Sequence, residues 1–236
     1  MSSPLLLALV VCGQGSAKIL DYVPAGLRSA EFTAKKVLGN QRELSKINED
    51  FGMSYRFVST KVTLKEPFKL RLEGKVEDTS MLFITNGTKK MFKAPRSKIS
   101  IKEDTSRAPG KRQTIMDFGL LAPSLFSDLF DANFVRKDRE GNMVFDLTYK
   151  PSLKDGTRHR VWIQPDTKAL VKREWYSQID KRLMATFQYS AFKNIDGVNF
   201  PTRYEVRNAD NVVAGSIRYE SIRVNVPIED SLFAIN

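Results

Sequence analysis

The sequence predicts a mainly β protein of the α+β class, in which a strongly curved antiparallel sheet forms a half-open barrel with helices lying across it as a lid. Three observations carry this. From residue 52 onward apolar residues alternate with polar ones over most of the chain; short, turn-rich connections separate the alternating stretches; and two stretches, residues 24–51 and 116–134, space their apolar residues three and four apart instead.

The chain opens with Leu5, Leu6, Leu7, Ala8, Leu9, Val10, Val11 and Cys12, then small residues before the first charge at Lys18. An apolar run followed by small residues has the shape of a signal peptide, without the usual basic start, and predicts residues 1–17 as a cleaved export signal. Anchoring by a lipid on Cys12 and an ordinary buried N-terminal element are the alternatives. Export also suits the cysteine usage, because cleavage removes the chain's one thiol before it meets an oxidising compartment.

In residues 24–51, Leu27, Ala30, Ala34, Val37, Leu38, Leu44, Ile47 and Phe51 predict helix, with a break at Gly39-Asn40. The clearest strand follows, where Phe68, Leu70, Leu72, Gly74 and Val76 alternate with Lys69, Arg71, Glu73, Lys75 and Glu77. Further strands are predicted at 55–64, 80–85, 89–93, 98–102, 142–150, 158–164, 169–177, 182–192, 199–206 and 212–224. Asn86-Gly87, Glu140-Gly141-Asn142, Asp155-Gly156, Pro165-Asp166, Asp196-Gly197 and Asp210-Asn211 supply the turns between them. Such short separations favour neighbouring antiparallel pairs, and about ten strands are more than an open twisted sheet holds without curling.

In residues 116–134, Leu125/Leu129 and Phe126/Phe130 form two i,i+4 pairs after Pro123, a helical pattern with a broad apolar face. It reads either as a core helix or as a lid over a cavity. No linker divides the remainder, so residues 18–236 are expected to form a single domain.

Composition narrows the function. With 236 residues, 42% of them hydrophobic, the chain is long enough for a substantial core, and no apolar run approaches the roughly 18 residues a spanning helix needs. One Cys and one His leave no Cys/His zinc site, with only an all-carboxylate metal site left open, and no P-loop or GxGxxG is present, so no metal and no cofactor is expected. His159 has neither a second His nor a retained Cys to work with and reads as structural. A hydrolase using two carboxylates that meet in space stays open, although no pair is nominated. The net charge of +11 favours anionic partners, but Lys and Arg are spread along the polar side of nearly every strand, the pattern of a solvated sheet face. Nucleic acid is not expected to be a partner.

A curled sheet covered by helices encloses a dry space, and acyl chains suit it because each buried methylene is worth about 0.8 kcal/mol and needs no polar partner. The apolar registers nominate Phe68, Leu70, Leu72, Val76, Val161, Ile163, Val171, Trp175, Leu183, Ala185, Phe187, Ile217 and Tyr219 as lining. Leu125, Phe126, Leu129 and Phe130 would form the lid, and Arg173, the one charge expected to point inward, would bond the lid or reach solvent at the rim. For each lining residue plain packing is the competing reading, because alternation reports a buried face and not an empty space.

The order of elements resembles the LolA-like family of outer-membrane lipoprotein carriers and lipoprotein-sorting proteins. Glu66-Pro67-Phe68-Lys69-Leu70-Arg71-Leu72 looks like that family's "P-x-K-(L/F)-R" strand. Val161-Trp162-Ile163-Gln164-Pro165-Asp166-Thr167-Lys168-Ala169-Leu170-Val171-Lys172-Arg173 looks like its "W-I-D-P-x-T-G-L-x-x-R" hairpin, with Gln164 for Asp and Ala169 for Gly. Val226-Pro227-Ile228-Glu229-Asp230-Ser231-Leu232-Phe233 looks like its terminal "P-x-x-D-x-L-F". The match runs from about residue 50 to 236. It implies an incomplete barrel with a lid and a non-catalytic, monomeric periplasmic carrier, taking a lipoprotein's acyl chains or another lipid from an inner-membrane transporter to an outer-membrane acceptor. An envelope-stress sensor or protein-interaction module on the same fold is the alternative.

Overall fold

The computed structural model describes residues 17–235. The predicted signal, apart from Ala17, and Cys12 with it, lie outside the described residues.

Fifteen strands follow in chain order: β1 (Ser29–Gly39), β2 (Ser59–Lys65), β3 (Lys69–Val76), β4 (Thr79–Asn86), β5 (Lys89–Ala94), β6 (Ile99–Asp104), β7 (Phe130–Lys137), β8 (Met143–Tyr149), β9 (Arg158–Gln164), β10 (Ala169–Tyr176), β11 (Leu183–Ser190), β12 (Lys193–Ile195), β13 (Val198–Phe200), β14 (Arg203–Asn208) and β15 (Val213–Val224). All but β12 and β13 join one sheet in the order β6-β5-β4-β3-β2-β1-β15-β14-β11-β10-β9-β8-β7, and every pair is antiparallel. From β1 in mid-sheet the chain therefore steps outward to β6, crosses to the opposite edge at β7 and steps back to close on β1 through β15. β12 and β13 form a separate hairpin whose turn has Asp196 at φ 51° and Gly197 at φ 76°, the two positive φ values that such a two-residue turn demands.

Two helical expectations are corrected. Within residues 24–51 the longest element is a strand, β1, which buries Ala30 and Phe32 and half-buries Ala34 at a period of two. Helix is confined to α1 (Gln41–Ile47) and α2 (Glu49–Ser54), each short and capped by an Asn: Asn40 accepts from the Glu43 amide and Asn48 from the Phe51 amide. α1 buries Leu44 and Ile47 against β14 and β15. The stretch 116–134 is also no helix. It is a 3-10 turn at Ile115–Phe118, a left-handed Gly119, a single π-turn at Leu125–Leu129 and then β7, which claims Phe130.

Residues 105–129 are the link between the two sheet edges, and they cross over one sheet face. Ile115, Met116, Leu120, Leu121, Ala122, Leu125 and Leu129 are buried there in one cluster with Phe32, Val62, Leu64, Leu70, Val161, Ile163, Phe187 and Tyr219 of the sheet. At roughly 1.5–3 kcal/mol for each fully buried large aliphatic side chain, this cluster dominates stability. On the other face of β3–β5 the C-terminal stretch packs Ile228 and Phe233 onto Ile84 and Met91. Lys65 and Lys69 hold Asp230 at 2.7 and 2.9 Å, and Arg71 donates to the Leu232 carbonyl at 3.0 Å. Among the described residues no helix is long and apolar enough to cross a membrane.

Candidate functional site: a latched crossing and an open apolar face

The register defines the face under the crossing segment. Trp175 pairs with His159 and Ala185, and Arg173 with Val161 and Phe187, so these side chains stand together beside Ile163 and Leu147. Arg173 is 4% exposed. Its Nη1 lies 3.1 Å from Asp117 Oδ1, and its guanidinium stacks 4.1 Å from the centre of the Phe187 ring. Asp117 belongs to the crossing segment, where its Oδ2 also accepts the Thr114 amide at 2.9 Å in a capping box. Tyr189 adds a second tie, its hydroxyl donating to the Met116 carbonyl at 3.2 Å. The sheet thus grips the turn at Ile115–Phe118 through one ion pair and one hydrogen bond.

The surroundings of Arg173 are aromatic and dry. Burial pushes the Tyr189 hydroxyl up to about 12 and raises Tyr204 and Tyr219 too. Burial, with the Arg173 and Arg158 charges beside it, holds His159 well below the usual imidazole range, and its ring stands edge-on to Phe130. His159 is a neutral core residue, with Nδ1 unpartnered. For Arg173 itself burial works against the charge, and Tyr189, Asp117 and Tyr204 outweigh it.

The expected lining residues divide into groups. Phe68, Leu70, Val161, Ile163, Ala185, Phe187 and Tyr219 are buried in the shared cluster, with Leu72, Trp175 and Ile217 half-buried at its margin. Val171 falls at a bulge in the β9–β10 ladder, where Leu170 takes the place opposite Ile163. Leu183 is half-buried beyond a bulge, opposite Tyr176, and Val76 is half-buried at the end of β3. Of the lid candidates, Leu125 and Leu129 are buried, Phe126 is half-buried, and Phe130 packs at a tilt against Tyr149, ring centres 4.6 Å apart, within the sheet. Two surface clefts lie away from these residues: one of about 450 Å³ opens between β1 and β15, and one of about 340 Å³ beside Glu66 and Pro123.

Beyond the crossing segment the same face stays open. Leu72 pairs with Phe83, Phe83 with Phe92 and Phe92 with Ile101, giving one apolar row from β3 to β6. Gly74, Met81, Ala94 and Ile99 form a parallel row beside it. The Phe83 and Phe92 rings lie tilted against each other with centres 4.6 Å apart and are half-buried, while Ile99 is 42% and Ile101 57% exposed. Phe57 closes one side, its ring lying over Gly74, where an added Cβ would meet Phe57 Cδ1 at 2.7 Å. Sequence reading named Leu72 but missed Phe83, Phe92, Ile99 and Ile101, although all lie in strands it had assigned.

The comparisons agree with this architecture. A family model described as an "Uncharacterized protein"-like family matches residues 110–236, more than half of the chain. The chain belongs to that family. No curated protein matches the sequence. Among solved structures, a LolA superfamily protein from Nitrosomonas europaea aligns at a TM-score of 0.59 and 16% identity, over 91% of this chain and 94% of its own. A DUF1329 family protein from Desulfovibrio piger gives 0.59 and 14%, over 91% and 92%. An outer membrane lipoprotein-sorting protein domain from Vibrio parahaemolyticus gives 0.58 and 14%, over 88% and 90%. The fold is LolA-like, as the resemblance implied.

Proposed function

We propose that this member of the family is a non-catalytic periplasmic carrier that holds the acyl chains of a lipoprotein, or another lipid, on the open apolar face between β3 and β6. The observation that carries the reading is the pair of apolar rows through Leu72, Phe83, Phe92 and Ile101 and through Met81 and Ile99, half-exposed on a face with no polar side chain in either row. Four strands about 4.8 Å apart give a stripe of about 15–20 Å, the length of a long acyl chain, and each methylene laid on it is worth up to about 0.8 kcal/mol. The fold shared with an outer membrane lipoprotein-sorting protein domain, and the strong tendency of a thirteen-stranded sheet to curl into a half-open barrel, support the same reading. Residues 1–17 act as the export signal, residues 18–236 as one carrier domain, and an inner-membrane transporter and an outer-membrane acceptor as its partners.

The crossing segment is the lid of this carrier, with Arg173 as its latch. With the latch made, Val161, Ile163, Phe187 and Tyr219 are packed; with Asp117 and Met116 released, the stripe lengthens over them into the cavity that the sequence anticipates. Native mass spectrometry of protein purified gently from the periplasm tests the proposal. Bound acyl species are expected, and Phe83→Asp and Phe92→Asp are expected to lose them while keeping the wild-type circular dichroism. A protein that stays empty when offered phospholipid or triacylated peptide overturns the carrier reading and favours an interaction module on the same face.

A further inference from the structure

We infer that the sheet edge at β6 seats on an anionic phospholipid bilayer, with Ile99 and Ile101 entering the lipid and the lysines and arginines around them meeting its phosphates. The inference goes beyond the carrier reading and stands on the charge and exposure of this one edge. Basic charge is concentrated here. Residues 89–112 hold nine Lys and Arg against two acids, a net +7 within 24 residues of a chain that carries +11 in all. Lys90 and Lys111 share Glu103, and Arg96 reaches the exposed Asp78 at 3.8 Å. Lys89, Lys93, Lys98, Lys102 and Arg107 have no carboxylate within ion-pair distance among the described residues. The opposite edge differs: it exposes Phe134 and Val135, but residues 130–142 carry three basic and three acidic side chains and no net charge.

A basic surface alone suits any polyanion, and the two isoleucines narrow the choice. Ile99 and Ile101, 42% and 57% exposed, stand on the face of β6 that carries Ala94 and Phe92, while Lys102 stands on the other with Lys93. β6 is the last strand on its side of the sheet, so both sets flank a free edge, and Lys102 within that edge discourages a further strand from adding to it. The Thr105 amide donates to the Thr88 carbonyl at 2.7 Å, one step beyond the Asp104–Lys89 pair, so alternation turns the amides and carbonyls of Ser100, Lys102 and Asp104 outward. Those groups need water or headgroup oxygens, which sets the depth: the isoleucine side chains enter and the backbone stays at headgroup level. Lysine stems lie along the apolar boundary while their ammonium groups reach the phosphates. A nucleic acid offers the phosphates but no apolar layer for Ile99 and Ile101. The apolar row through Leu72, Phe83 and Phe92 ends at Ile101, so the seated edge continues that row into the lipid.

Co-sedimentation of the purified protein with vesicles tests the inference, one set made of phosphatidylcholine and one with about a third phosphatidylglycerol, at about 0.05 and about 0.5 M salt. Binding to the anionic vesicles at low salt is expected, lost at high salt and absent on phosphatidylcholine. Lys93→Gln combined with Lys102→Gln should weaken it about tenfold or more, since each basic side chain near an anionic surface contributes about fivefold. Ile99→Ser combined with Ile101→Ser should also weaken it about tenfold while leaving the salt dependence in place. Arg136→Gln combined with Lys137→Gln removes the same charge at β7 and should change binding less than about twofold. Circular dichroism checks that each variant keeps the wild-type fold, and vesicle binding is read whether or not the chain holds cargo, so the carrier reading and this one fail separately. No binding to anionic vesicles, equal binding to phosphatidylcholine, an equal loss in the β7 variant, or an isoleucine variant that binds as the wild type does, the behaviour of a surface for nucleic acid, overturns the inference.

Discussion

Replacing Asp117 by Asn should cost more than deleting the charge it neutralises, and the structure fixes why. The pair is 3.1 Å apart, which at an effective dielectric constant of 20 corresponds to about 5 kcal/mol of gross attraction. The Asp117 side chain is 35% exposed and the Arg173 side chain 5%, so water screens the carboxylate end and about 3 kcal/mol survives. Asn still accepts the Thr114 amide, so the cap changes little and the loss falls on an arginine left charged among Phe187, Tyr189 and Tyr204. Arg173→Met removes the buried charge and leaves Asp117 near water, at an expected cost of about 1 kcal/mol. Asp117→Asn combined with Arg173→Met should recover most of the Asp117→Asn loss. Urea denaturation of the four proteins measures the cycle, and hydrogen exchange should show residues 105–129 opening first in Asp117→Asn. If Asp117→Asn stays within about 0.5 kcal/mol of the wild type, or if Arg173→Met is the worse of the two, the crossing segment is not held by this pair.

Three further outcomes follow from the same face. Burial raises the Glu66 carboxyl, with the Ser124 hydroxyl and the Phe68 amide opposing it. Because the folded state then binds its proton more tightly than the unfolded one, stability falls as pH rises from the unfolded value near 4.3 through the folded one; Glu66→Gln should be the more stable protein at pH 7 and should lose this dependence, and a less stable variant at pH 7 would contradict it. His159 is held neutral, so the unfolded state takes up the proton first, and stability should fall by up to about 1.4 kcal/mol per pH unit below about 6.5, a slope that His159→Leu should reduce; an equal slope in both proteins refutes the assignment. Gly119 has φ 79°, and an added Cβ would run into the Tyr189 ring, so Gly119→Ala should destabilise by about 2–4 kcal/mol in thermal or urea melts, and a loss below about 1 kcal/mol would show that the turn can shift.

Much of the sheet was legible because period-two alternation survives wherever a ladder is regular. β3, β4 and β5 pair without a shift, and their bounds follow the alternation within a residue or two. The failures sit where the ladder is bulged. β1 runs regularly against β2 from Ser29 to Lys35, and its one extra residue opposite β15 is Val37, between Lys36 and Leu38, where an even spacing turns odd. Ala30 and Ala34, at an even spacing that a strand shares with a helix, and Val37 at the bulge together mimic a helix, although Phe32 between them faces the core with Ala30. The bulge after Leu170 misleads in the same way, placing Val171 where Leu170 stands. Residues 116–134 fail for a different reason. Leu125 and Leu129 keep their i,i+4 relation in a π-turn, but Gly119 in the left-handed region and Pro123 interrupt any longer helix, and Phe130 is captured by the β7–β8 ladder.

The site divides along the same physical line. Arg173 was legible because a charge at an apolar register position has to find a partner, and the buried side chain does so. Its partner Asp117 lies 56 positions earlier in a segment read as helix, and no local pattern connects the two. The open rows were illegible for a converse reason. Alternation marks Phe83, Phe92 and Ile101 as belonging to one face, whereas exposure depends on how far the crossing segment reaches, a property of its path between β6 and β7. Since that segment ties both edges of the sheet to its middle, loosening it at Asp117 changes how much of the apolar face is open without breaking a single ladder hydrogen bond. A carrier that must alternate between holding and releasing an acyl chain needs that separation, with a stable sheet and a crossing held by one ion pair of about 3 kcal/mol, weak enough for a partner's binding energy to reverse.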